Sequence, residues 1–121
     1  MLYFSKWPDV IGDWYACQTG AVQAAVDVVL EYLFQRPRGE WRRPEFDLLS
    51  GRMREIGEIR FKVDKQYRIL GFFGPGTSEF TLLIAASKKG NNYCPKDARE
   101  TALKRMAQVK NDWNRSRVYD F

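Results

Sequence analysis

Between residues 58 and 86 the apolar residues fall into three strand-like stretches joined by short turns, and few folds accommodate such a centre. Ile59, Phe61 and Val63 alternate with Glu58, Arg60 and Lys62, the pattern of a half-buried strand. After the turn Asp64-Lys65-Gln66, Tyr67 to Phe73 reads as a second strand whose one charged residue is Arg68. Gly74-Pro75-Gly76-Thr77-Ser78 is a strong turn signal. Phe80 to Ala86 is a third strand, ending in Ser87-Lys88-Lys89-Gly90. Three successive strands on short turns make an antiparallel meander.

Helical periodicity flanks this centre. Thr19 is placed to cap a helix over about Gly20 to Phe34, with Val22, Val26, Val29 and Leu33 on one face and Arg36-Pro37 as its stop. Pro44 to Ser50 reads as a short second helix, opened by Pro44 and closed by Gly51. Pro95 opens a third, with Ala98, Ala102, Met106, Val109 and Trp113 as an apolar stripe. In the aromatic-rich start, Leu2-Tyr3-Phe4 is the candidate for a short edge strand. The expected architecture is a small α+β sandwich: an antiparallel sheet of three to four strands, two N-terminal helices and one C-terminal helix, in a single domain spanning 1–121. One sheet face is expected to carry the helices and the other to stay open. Trp41, among Arg38, Arg42 and Arg43, is expected in an exposed loop.

Composition bounds the chemistry. At 121 residues the chain is long enough for one core. The absence of histidine excludes every histidine-based acid, base or triad, and two cysteines, Cys17 and Cys94, build neither a zinc site nor a disulfide framework. No metal or other cofactor is expected. No apolar run approaches the roughly 20 residues of a membrane helix, and MLYFSKWPDV lacks the pattern of a secretory signal, so a reducing cytoplasm is the expected setting. Residues 1–34 hold one Lys against four Asp/Glu (net −3), whereas residues 35–121 hold 19 Lys/Arg against 11 Asp/Glu (net +8). Such a field draws polyanions, chiefly nucleic acid, and also an acidic protein. On the first strand Arg60 and Lys62 share a side, and Arg68 joins them if the register permits. The cluster reads either as a phosphate-binding face or as a solvated strand with ion pairs of little energy.

The ordered pieces Glu58-Ile59-Arg60-Phe61-Lys62-Val63, Tyr67-Arg68-Ile69-Leu70-Gly71-Phe72-Phe73, Leu82 to Lys89 and Cys94-Pro95 with Ala98 resemble the RelE/HigB toxin superfamily, closest to its phage-derived, RelE-like branch. The likeness covers about Arg52 to Trp113. It departs from that pattern at Ile56-Gly57, where an aromatic or bulky residue is usual. The resemblance implies an endoribonuclease acting on messenger RNA, commonly at the ribosome, and neutralised by an antitoxin. A ribose 2′-hydroxyl would attack the adjacent phosphorus. Carried over by position, Arg68 would clamp the scissile phosphate and Arg60 would orient the 2′-hydroxyl. Lys62 would supply the base, since a guanidinium stays protonated. Tyr93 would stack on a base or donate a proton. Lys88 and Lys89 would contact phosphate, with Lys65 and Arg54 as further RNA contacts. The alternative is a non-catalytic module of phage origin that holds RNA or a protein on the same fold.

Overall fold

The computed structural model describes residues 3–6, 10–74, 76, 79–111 and 117–118. Among these run β1 (Tyr3–Lys6), α1 (Val10–Ala16), α2 (Gly20–Phe34), β2 (Phe46–Leu48), β3 (Ile56–Lys62), β4 (Gln66–Phe73), β5 (Glu79–Lys89), β6 (Asn92–Cys94), α3 (Ala98–Asn111) and β7 (Arg117–Val118). The fold is α+β. Thr19 caps α2 as expected, its hydroxyl accepting from the Val22 amide at 3.3 Å. The strands β2 to β6 pair antiparallel in chain order, and the sheet is wider than the three or four strands expected. β1 is not an edge: it inserts between β5 and β7 and runs parallel to β5. The strand β5 continues through Ser87, Lys88 and Lys89, and Gly90, at φ 60°, turns it into β6.

Both faces of the sheet are covered, which corrects the expected open face. Ile59, Tyr67, Ile69 and Ala85 pack with Ile11 of α1 and with Val22, Val26 and Leu30 of α2. On the other face Ile56, Leu70, Phe72 and Ile84 pack against Ala98, Ala102, Met106 and Val109 of α3. That is the helical stripe read from the sequence, though α3 starts at Ala98 rather than Pro95; Trp113 lies outside the described residues. Its two alanines let the helix sit close to the strands. What remains open is one end of this second face, where burial declines along β3 from Ile56 and Glu58 to the exposed Lys62.

The segment 44–50 is not a helix; at its centre Phe46–Leu48 form a strand. Phe46 is buried and pairs with Ile59, and its ring fills the space a side chain at Gly57 would need. Burial of that ring outweighs the local helix signals. The space at Gly57 is thus filled from β2. Phe46 belongs to a ring cluster with Trp41, Phe73 and Phe80, at centroid separations of 5.3 to 5.8 Å. Trp41 is therefore buried, not in an exposed loop, and its indole donates to the carbonyls of Leu33 at 3.0 Å and Arg36 at 3.1 Å. This pins the basic segment after α2 onto the core.

Gly71 sits where the β4–β5 register shifts. A methyl there would run into the Thr81 carbonyl oxygen and the Phe80 ring, the latter at 2.6 Å. Backbone cannot yield as a flexible side chain does. Gly71→Ala is expected to cost about 1–3 kcal/mol, read as a lowered denaturation midpoint; unchanged stability would show that the sheet shifts freely here.

Candidate functional site

Register assembles the site. Arg60 stands directly opposite Arg68, and Lys62 is linked through Gln66 and Lys88 to Tyr93 in the next row. All of these residues lie on the face that α3 covers further along. Two arginines in direct cross-strand register, with Cα atoms about 5 Å apart, repel each other. Such an arrangement needs a nearby anion.

Glu58 supplies one from within. Its side chain is only 1% exposed, and Oε1 accepts from Arg60 Nε at 2.9 Å and Nη2 at 2.7 Å. Arg68 Nε lies 3.7 Å from the same oxygen, and the Tyr93 hydroxyl donates to Oε2. One buried carboxylate thus holds three of the candidate residues. Burial and this hydrogen bond push the Tyr93 phenol well above its ordinary range. Burial also lowers the Arg68 pKa, partly offset by Glu58. Arg68 Nη1 donates to its own neighbour's carbonyl, Tyr67 O, at 2.9 Å, and Nη2 to Gln66 Oε1 at 3.0 Å. Nε of Arg68 is buried with no hydrogen-bond partner among the described residues. Its charge is therefore met less completely than that of Arg60, which also has Asp47 at 3.6 Å.

A groove of about 560 Å³ opens here, lined by Arg60, Lys62, Gln66, Arg68 and the 43–45 segment. Four cations (Arg43, Arg60, Lys62 and Arg68) face one carboxylate, Glu45. The Arg60 amide donates to the Glu45 carbonyl at 2.8 Å, which fixes Glu45 beside β3. Its Oε2 is buried without a hydrogen-bond partner among the described residues. Leaving a buried acceptor unmet costs about 1–3 kcal/mol, and such an atom at a groove wall is suited to a ligand's hydroxyl. Glu45 carries no signal in the sequence, because its segment reads as a helix, and Glu58 reads there only as one polar residue of a half-buried strand.

The structure brings together Arg60, Lys62, Arg68, Lys88 and Tyr93, and separates the rest. Lys88 is half-buried with its ammonium 5.2 Å from the Tyr93 ring centroid. Lys89, next along the strand, pairs with Asn92 and faces the opposite side from Lys88. Lys65 leans over the Tyr67 ring at 5.9 Å, toward that same opposite side. Arg54 precedes the far end of β3, six residues and roughly 20 Å of strand from Arg60. Neither lines the groove. No group of three or more His, Cys, Asp or Glu suited to a metal ion occurs among the described residues. No helix among them is long and apolar enough to cross a membrane.

The family model described as phage-derived protein Gp49-like (DUF891) matches residues 13–107, a span that holds every groove residue. No curated protein and no solved structure matches the chain.

Proposed function

This chain belongs to the phage-derived Gp49-like family, within the RelE/HigB-like toxin superfamily, and from that premise we propose that it is an endoribonuclease that cleaves messenger RNA at the ribosome. The observation that carries the reading is the groove itself: two opposed arginines, a third arginine and a lysine around Glu45, whose Oε2 has no hydrogen-bond partner among the described residues. Arg68 binds the non-bridging oxygens of the scissile phosphate and stabilises the phosphorane charge, with Arg60 beside it. Glu45 accepts the proton of the 2′-hydroxyl as its oxygen bonds to phosphorus. The bond from phosphorus to the 5′-oxygen breaks, and Lys62 protonates that oxygen. The products are a 2′,3′-cyclic phosphate and a 5′-hydroxyl. Glu45 replaces Lys62 as the base, because it is the one anionic acceptor lining the groove. Tyr93 positions Glu58 rather than giving up its proton, since burial and the Glu58 bond hold that proton tightly. The family points to an antitoxin as protein partner, and the net +8 of residues 35–121 suits an acidic covering segment.

Single-turnover cleavage of a ribosome-programmed messenger tests this reading. Glu45→Gln is expected to slow cleavage about 10²-fold while RNA affinity stays the same or rises. Wild-type protein that binds the message without cutting it would favour the binding-module alternative.

A further inference from the structure

A second groove, of about 500 Å³, runs along residues 38–48 and shares Arg43 with the first. We propose that it is a subsite for the nucleotides flanking the scissile phosphate on the same RNA strand. The inference rests on the reading of the first groove as an RNA-cleaving site.

The chemistry is that of a nucleic-acid track. From residue 36 to residue 43 there are four arginines (36, 38, 42 and 43) and one acid, Glu40. Arg38 is exposed, and its guanidinium carbon lies over the Phe73 ring, 4.0 Å from the centroid. The ring covers one side of the guanidinium, and exposure leaves the other available for a base to stack on. Arg42 is exposed and pairs with no carboxylate among the described residues. Arg43 is held by Asp47, with Nε at 2.9 Å and Nη2 at 2.7 Å, at the junction of the two grooves. That bond keeps the Asp47 carboxyl below its usual range, so the pair stays intact at neutral pH. Arg43 lines both grooves, so a strand that leaves Arg68 past Arg43 enters the groove lined by Arg42 and Arg38.

Rigidity strengthens the case. A flexible basic loop loses conformational freedom when it binds, which weakens the complex. Here Trp41 is buried and bonded to two carbonyls, so the flanking arginines are presented from a fixed backbone. The guanidinium over the Phe73 ring and the continuity with the phosphate groove favour RNA over an acidic polypeptide as occupant.

The test compares RNAs of 3 and 12 nucleotides, made non-cleavable by 2′-deoxy substitution at the scissile position. Affinities are measured across a salt series for the wild type and the double variant Arg38→Ala/Arg42→Ala. Both side chains are exposed, and an unchanged thermal melt serves as the folding control. The double variant is expected to lose about tenfold in affinity for the 12-mer and nothing for the 3-mer. Its salt slope on the 12-mer should fall by about 0.7, the one phosphate contact that Arg42 supplies. Arg68→Ala should weaken both lengths. Wild-type affinity and slope on the 12-mer in the double variant would overturn the subsite, as would an equal loss on both lengths. Loss of poly-glutamate binding with the 12-mer unaffected would overturn it in favour of an acidic protein. If Arg68→Ala left both lengths untouched, the reading of the first groove would fall instead, and the subsite with it.

Discussion

Arg68→Ala is expected to lower the single-turnover rate of RNA cleavage about 10³-fold, with the fold unchanged and the apparent affinity for RNA reduced far less. The expectation follows from how the side chain is held. Its two terminal nitrogens donate to neutral acceptors, the Tyr67 carbonyl and the Gln66 amide oxygen. The buried carboxylate nearby lies 3.7 Å away and is hydrogen-bonded by Arg60 and Tyr93. Arg68 thus enters the groove positioned but under-neutralised, the condition in which a donor best stabilises charge that develops during reaction. Removing one such donor typically costs 10² to 10³ in rate. Burial lowers its pKa, yet a guanidinium starts high enough to remain charged at neutral pH. Arg68→Lys should rescue little, because an ammonium cannot grip two phosphate oxygens in one plane. A variant that cuts within a few-fold of wild type would remove Arg68 from the chemistry.

Glu58→Ala should be the most damaging single change to stability in this region. It removes the carboxylate between two opposed arginines and deprives the buried Tyr93 hydroxyl of its acceptor. Breaking a buried pair costs about 3–5 kcal/mol, and partial exposure of the arginines places this case at about 3 kcal/mol. For a chain of this size the melting temperature should fall by about 10 °C. Glu58→Gln keeps an acceptor for Arg60 and should lose roughly half as much. Cleavage should suffer in both variants, since Arg60 loses the charged anchor that fixes its guanidinium. A Glu58→Ala protein as stable as the wild type would show that the arginines find other partners and that Glu58 organises nothing.

Periodicity made α2, the β3–β5 meander and the stripe of α3 readable, since each depends on residues near in sequence. That Arg68 could share the face of Arg60 also follows from alternation if the register permits, whereas their direct opposition comes from the strand pairing. What was not legible depended on distant residues. Phe46 becomes a strand residue because Gly57 leaves room for its ring, so the Pro44 and Gly51 signals misled. Lys88 and Lys89 looked like one pair until β5 proved to run through both, which sends adjacent side chains to opposite faces. Glu58 reads as a solvated strand residue because nothing local says that it is buried against the Tyr93 hydroxyl. Glu45 has meaning only through the groove that the 43–45 segment, β3 and β4 form together. Charges on strands are visible in sequence, whereas the carboxylates that organise them are visible only in three dimensions.

The most direct test is brief induction of the chain in bacteria, followed by mapping of new 5′ ends on abundant transcripts. Arg68→Ala and Glu45→Gln run alongside, with both proteins checked for folding. The account predicts discrete internal ends bearing a 5′-hydroxyl in the wild type and their loss in both variants. Intact transcripts and normal growth, with soluble, folded wild-type protein present, would contradict it.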